Sequence, residues 1–283
     1  MATIDAAAVK KLREMTNAGI MDCKGALTDA GGDFDEAVKI LREKGIASAG
    51  KKADRVAADG TVGVFVAEDG KRAALVEVNC ETDFVARNEK FQELASQLAQ
   101  QVAQSQSADV QALLTEPFAG DSGKTVEEHV KESISTIGEN IVIGRLAAFQ
   151  TDNGVIASYV HTDGKQAALV EVDGEVSDTA RELARNVAMQ AVAMKAPYLH
   201  RDHVPADVIE GEKHIYRQQA AGEGKPEAML DKIAEGRLNK FYGQNTLLEQ
   251  ESIHDSKKTV QQLLKDAGNV QVTRFVRYKV GEA

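Results

Sequence analysis

Tryptophan is absent from the 283 residues, and aromatic side chains make up only 5% of them. A core without large rings has to rest on Val, Leu, Ile and Ala. Two cysteines, Cys23 and Cys80, are too few and too far apart for a disulfide framework or a CxxC metal or redox motif. No stretch approaches the ~20 apolar residues that span a bilayer, and the first residues lack the apolar run of a secretory signal. Positive charge is also scarce: 34 Lys and Arg stand against 44 Asp and Glu, a net charge of −10. Neutralising phosphates needs clustered Lys and Arg, so a broad polyanion-binding face is excluded, as is a purely electrostatic hold on a membrane. The expectation is a cytoplasmic protein whose partner is another protein rather than nucleic acid or membrane.

Residues 1–55 read as three short helices. Asp5 is placed to cap the first, on which Val9 and Leu12 share a face, and Asn17 and Gly19 interrupt it. Ile20, Cys23 and Leu27 align on the second, which ends at Gly31 and Gly32. Asp33, with Glu36 three residues on, has the pattern of a capping box for a third helix that Gly45 stops. Helices this short are marginal alone and are expected to pack on one another. The stretch "ASAGKKADRVAADG" (47–60) reads as a partly helical linker.

An internal repeat carries most of the remaining information. "GTVGVFVAEDGKRAALVEV" (60–78) matches "GVIASYVHTDGKQAALVEV" (154–172), and Asp69-Gly70 and Asp163-Gly164 are hairpin-turn signals. The match continues through "QELASQLAQQVA" and "RELARNVAMQAV", then "KTVEEHVKE" and "KTVQQLLKD", then "IVIGRLAAF" and "VQVTRFVRY". Each copy predicts hairpin, helix, helix, strand. That is an α+β unit of three antiparallel strands with helices on one face. The expected division is 1–55, 56–150 and 151–283.

The two copies differ in two places. Between the V-E-V strand and the E-L-A helix the first copy is five residues longer, and the extra length holds Thr82, Asp83, Phe84, Val85 and Ala86. The second copy manages without these residues, so the scaffold does not need them, and loops added to a frame are where function concentrates. Two readings of Phe84 stand side by side. Asp83 caps the next helix and Phe84 packs beneath it as a staple, or Phe84 is a wedge presented to another protein. The second difference is a long insertion within copy two, over 198–250, which reads as an antiparallel helical hairpin. Val208, Ile215 and Ala220 stripe one arm, and Met229, Leu230, Ile233 and Phe241 the other.

Enzymatic signatures are missing. "GDSGKT" (120–125) resembles a phosphate-binding loop, but the position that should hold the first glycine is Phe118, and no buried strand leads in. It reads as a surface loop before a Lys-Thr helix start. His200 and His203 lie close together in a Pro-bounded loop without a third ligand. His161 replaces Ala67 of the first copy at a strand end, as either a solvated hairpin residue or a contact residue. No nucleophile elbow surrounds any Ser or Cys. Neither an enzymatic activity nor a cofactor, metal or small-molecule substrate of its own is expected.

"LREMTNAGIMDCKGAL", "EVNCETDFVARN", "IGENI" and the "KTVQQLL" stretch together resemble the bacterial elongation factor Ts family over essentially the full length of the chain. The resemblance implies a nucleotide exchange factor for elongation factor Tu. It implies an N-terminal module like ubiquitin-associated domains, two pseudo-repeated subdomains, an inserted coiled coil and a C-terminal module. It further implies that Arg13, Ile20 and Met21 touch the partner's nucleotide-binding domain, and that His161 meets the partner's third domain. Thr82, Asp83, Phe84 and Val85 would enter near the partner's Mg²⁺ and β-phosphate site.

Overall fold

The computed structural model describes residues 4–16, 18–174, 177–268 and 270–282. Asn17, expected to help end the first helix, lies outside them. Three helices come first: α1 (Ala6–Thr16), α2 (Ile20–Asp29) and α3 (Phe34–Gly50). The Asp5 carboxylate accepts the Ala8 N–H at 2.6 Å, as a cap should. Val9, Leu12, Cys23, Ala26, Leu27 and Ala37 form a small core between the helices. Ile20 does not join it: as the first residue of α2 it stands out into solvent. The capping box expected at α3 is half-made. Asp33 accepts from the Glu36 N–H at 3.0 Å, while the Glu36 carboxylate lies towards Lys39.

The first repeat then folds as β1 (Asp59–Val66), β2 (Arg72–Cys80), α4 (Asp83–Ala86), α5 (Glu89–Ser105), α6 (Val110–Thr115), β3 (Pro117–Phe118), β4 (Asp121–Thr125), α7 (Val126–Ile137) and β5 (Val142–Gln150). The second gives β6 (Gly154–Val160), β7 (Gln166–Asp173), α8 (Asp178–Met194), α9 (Ala206–Gly222), α10 (Glu227–Asn245), α11 (Val260–Asp266) and β8 (Val272–Lys279). Antiparallel sheets β1-β2-β5 and β6-β7-β8 have the same strand order, and β3-β4 is a third, two-stranded sheet. The segment "GDSGKT" is therefore a strand of a small hairpin, not a bare loop. Its Thr125 does start a helix as expected. The hydroxyl accepts from Glu128 N–H and the Glu128 carboxylate accepts from Thr125 N–H, and Thr259 and Gln262 repeat the box at α11.

Gly45 does not stop α3. It sits inside the helix, where an added Cβ would come within 3.4 Å of the Ser135 Cβ on α7. Glycine inside a helix costs about 1 kcal/mol against Ala, and packing of α3 on α7 offsets it, helped by Arg42 to Glu128 at 2.8 Å. Thr125→Ala is accordingly expected to cost about 1 kcal/mol. A urea titration checks this, with a lower midpoint and an unchanged slope.

Side chains alternate across a strand, and both faces of these sheets are used. From β2, Ala74, Val76 and Val78 face α5 and α7 in one core. Ala73 and Leu75 face the other sheet and meet Ile156, Ala167, Leu169 and Tyr278. Ala168, Val170 and Val172 pack under α8 and α11 in a third core. The layers run helices, sheet, sheet, helices. Helices on one face were expected, and the second sheet covers the other.

The repeated D-G-K turns are the latches between the sheets. Val62 N–H donates to the Gly164 carbonyl at 2.9 Å, and the equivalent Ile156 N–H donates to the Gly70 carbonyl at 2.8 Å. Lys71 Nζ reaches the carbonyls of Asp152 and Gly154, while Lys165 Nζ holds the Asp59 carboxylate at 2.7 Å. Two arginines complete the pseudo-twofold. Arg145 pairs with buried Glu77 at 2.7 Å and lies over the Tyr278 ring. Arg274 pairs with Glu171 and lies over the Phe149 ring. The ladder shifts register beside both glutamates, between Glu77 and Val78 and between Glu171 and Val172.

Helices α9 and α10 pack on one another, with Pro226 before the second. Arg217 bridges to Asp231 at 2.9 Å and Arg237 to Glu223 at 2.7 Å across them. The apolar stripe keeps Ala220 and Leu230 of the expected one but differs at other positions. Leu230, Ala234, Leu238 and Tyr242 are buried at four-residue spacing, whereas Met229 and Ile215 are exposed. One residue is about 100° of helix rotation, which carries Met229 off the seam.

Candidate functional site

Strand β2 ends at buried Cys80, and the five-residue insertion begins after Glu81. Burial pushes the Cys80 thiol up to about 12, with the Glu139 and Asp59 carboxylates adding to it. The thiol is a donor here and not a nucleophile, donating to the Thr82 carbonyl at 3.2 Å. Thr82, not Asp83, caps the one-turn helix α4: its hydroxyl oxygen accepts from Val85 N–H at 3.3 Å. Asp83 instead lies 3.4 Å from Arg87, one turn on.

Successive residues of α4 point in different directions. Ala86 is buried and Val85 packs against the first core. Phe84 points away and is 82% exposed. The staple reading fails on that observation, since none of the described residues covers the ring. Beyond α4 the chain is pinned again. Gln92 Nε2 donates to the Ala86 carbonyl, and the Asn88 side chain accepts from Lys90 N–H at 2.9 Å, capping α5.

A second segment holds the near end. Glu139 follows Gly138, whose φ of +96° ends α7. One Glu139 oxygen accepts from the backbone N–H groups of Glu81 and Thr82, each at 3.0 Å. The other accepts the Thr82 hydroxyl at 2.6 Å. In return the Glu81 carboxylate accepts the Asn140 N–H at 2.7 Å, and Asn140 Nδ2 donates to the linker carbonyls of Ala53 and Arg55. Glu139 and Asn140 were not singled out from the sequence as site residues. They lie more than fifty residues from the loop they hold, beyond the reach of local pattern.

The remaining expected contact residues sit elsewhere. Arg13 is exposed on α1. Ile20 and Met21, 55% and 75% exposed, occupy the first turn of α2, and Met15 adds a further exposed apolar side chain. His161 stands at the end of β6, partly exposed, with its Nδ1 3.3 Å from the Tyr159 hydroxyl. Its carbonyl accepts from Gly164 N–H at the hairpin turn. The structure thus gathers Thr82, Asp83, Phe84 and Val85 on one loop, Arg13, Ile20 and Met21 on the first two helices, and places His161 on a separate hairpin.

The rejected motifs are occupied by other work. Lys124 of "GDSGKT" is paired with Glu132 and lies 3.8 Å from Asp121, which leaves no free lysine for a phosphate. His200 contacts Asp202 at 3.1 Å in a short 3-10 turn. Among the described residues no group of three or more His, Cys, Asp or Glu is placed to hold a metal, and no helix is long and apolar enough to cross a membrane.

His129 stacks on Phe118 with ring centroids 3.8 Å apart. Burial pushes its pKa down to about 4, Lys124 adds to this, and Glu132 and Asp121 oppose it. The unfolded chain protonates near 6.5, so between these values it binds a proton that the folded chain refuses. Folding carries no penalty from His129 above about pH 6.5, and a growing one as pH falls towards 4. His129→Phe keeps the stacking but cannot titrate. Melting curves from about pH 7 to 4 are expected to show the wild type losing stability relative to this variant.

Residues 81–282 match the family model described as Elongation factor TS. Curated relatives named Elongation factor Ts align along nearly the whole chain. That of Halothermothrix orenii is 43% identical over 274 residues, covering 97% of this chain and 91% of the relative. That of Clostridium tetani is 44% identical over 285 residues, with 99% and 94% covered. That of Aquifex aeolicus is 44% identical over 280 residues, with 96% of each covered.

Proposed function

The chain belongs to the elongation factor Ts family, and from that premise we propose that it is a guanine nucleotide exchange factor for elongation factor Tu in translation elongation. It performs no covalent step of its own. It inserts Thr82, Asp83, Phe84 and Val85 beside the partner's Mg²⁺ and phosphate site, promotes GDP release and stabilises the nucleotide-free partner until GTP binds. The observation that carries this reading is an 82% exposed Phe84 on a loop anchored on both sides that the second repeat folds without.

A nucleotide-binding domain of this kind holds its ligand through backbone donors, a lysine and Mg²⁺. A ring forced between these elements, with the Asp83 carboxylate beside it, weakens several of those contacts at once. Residues 1–55 are read as the module like ubiquitin-associated domains, which docks through Arg13, Ile20 and Met21. Residues 56–150 and 151–283 are the two subdomains, and His161 meets the partner's third domain. The insertion over 198–250 is read as a coiled coil. Coupling is reciprocal, so an incoming nucleotide loosens the chain's hold as much as the chain loosens the nucleotide.

Mixing the chain with elongation factor Tu loaded with a fluorescent GDP, against excess unlabelled nucleotide, tests the reading. Release is expected to accelerate in proportion to the added chain and then saturate. A release rate that does not respond to the chain would refute it.

A further inference from the structure

We propose that Glu139 is a positioning residue that fixes the direction in which Phe84 is presented; the inference rests on the exchange role proposed above. Helix α4 has four residues, too few to hold its own geometry, since a first turn fixes several torsions for one hydrogen bond. Something outside it has to set its orientation. Glu139 does so through three hydrogen bonds to the two residues that precede it.

The Thr82 hydroxyl is the pivot. It has one hydrogen, and the 2.6 Å contact directs that hydrogen at Glu139. A lone pair is then left facing Val85 N–H, which it accepts at 3.3 Å. The carboxylate therefore sets the rotor of the cap, and the cap sets the turn on which Phe84 stands. Bonds to an ionised acceptor are the stronger kind. Glu139 is itself held, because its neighbour Asn140 is tied to Glu81 and to the linker carbonyls.

The repeat gives an independent argument. The stretch "DAGNV" (266–270) before β8 carries no carboxylate between its glycine and the strand, where the first copy has Gly138-Glu139-Asn140. The second copy also lacks the insertion. Clamp and insertion occur together in one repeat and are missing together from the other. The shared scaffold therefore needs neither.

Glu139→Gln replaces one accepting oxygen by an amide NH₂, so either the Thr82 hydroxyl or the pair of backbone N–H groups loses its acceptor. GDP release at saturating chain is expected to slow about tenfold, the scale of one hydrogen bond to a charged group. The concentration giving half-maximal release is expected to stay within about twofold, because the docking surfaces on α1, α2 and the β6–β7 hairpin are untouched. Thr82→Val removes the bridging hydroxyl and is expected to slow release at saturating chain to a similar extent.

The deciding arm is the double variant. In a Phe84→Ala background, Glu139→Gln is expected to change the saturating rate by less than about twofold, because the ring it aims is gone. Equal slowing in both backgrounds, or wild-type release from Glu139→Gln and Thr82→Val alone, overturns the inference while leaving the exchange role standing. Wild-type release from Phe84→Ala itself overturns the role of the wedge, and this inference with it.

Discussion

With Phe84→Ala, GDP release from elongation factor Tu at saturating chain is expected to slow about 10–100-fold, while the melting temperature stays unchanged. The rate effect follows from area. Burying a phenylalanine side chain contributes about 1.5–3 kcal/mol, and each 1.4 kcal/mol lost is about a factor of ten. In the proposed complex that energy is available only after the ring has entered the partner, so it appears in the release step. The stability effect follows from exposure. A ring that is 82% exposed leaves no cavity when removed, and alanine is the better helix former. Stopped-flow release and a thermal melt on the same preparation separate the two. A fall of several degrees with unaltered release would return Phe84 to a structural role.

Leu75→Ala is expected to do the opposite. Leu75 is fully buried between the two sheets, against side chains of the second repeat. Truncating a buried leucine costs about 2–5 kcal/mol, part lost transfer energy and part cavity. The strand flanks are held by latches from both repeats, so the site has little room to collapse. Chemical denaturation is expected to show a lower midpoint in one transition sensed by both sheets. Two separate transitions, with only the first repeat weakened, would contradict the packing of sheet on sheet described above. At temperatures well below its melting point, the variant is expected to release GDP at close to the wild-type rate, since Phe84 and its clamp are intact.

Much of the fold was legible because it repeats. Two copies of one strand, turn and helix pattern fix each other's boundaries, and the capping threonines Thr125 and Thr259 mark the same helix start twice. The face-to-face sheets were harder to foresee. Small residues such as Ala73 and Ala74 occupy both sides of β2, and a run apolar on both faces does not say what covers the second. Gly45 misled because local propensity favours a stop there, and the contact with Ser135 that overrides it is ninety residues away. Met229 misled because it adjoins Leu230, and two neighbouring apolar residues do not say which of them faces the seam.

The loop itself was legible by subtraction. Aligning the repeats isolates the residues that the scaffold can omit, and those include Thr82, Asp83, Phe84 and Val85. Local pattern cannot say whether the ring of such a loop points inward or outward, because a staple and a wedge have the same spacing. Three-dimensional placement of Val85 and Ala86 decides it: they take the inward face of α4, and Phe84 is left outside. Glu139 stands in the quoted stretch "IGENI", but its role was hidden for a different reason. A single carboxylate after a helix-ending glycine has no local signature of the distant cap it holds.

The proposed exchange role stands on an apolar ring that the described residues leave uncovered and that the proposed partner encloses. The accessibility of Phe84 in a structure of the chain bound to nucleotide-free elongation factor Tu measures this most directly. The ring, 82% exposed in the free chain, is expected to be enclosed by the partner beside the vacated Mg²⁺ and β-phosphate positions. A ring still open to solvent in that complex, or folded back against its own sheet, would contradict it.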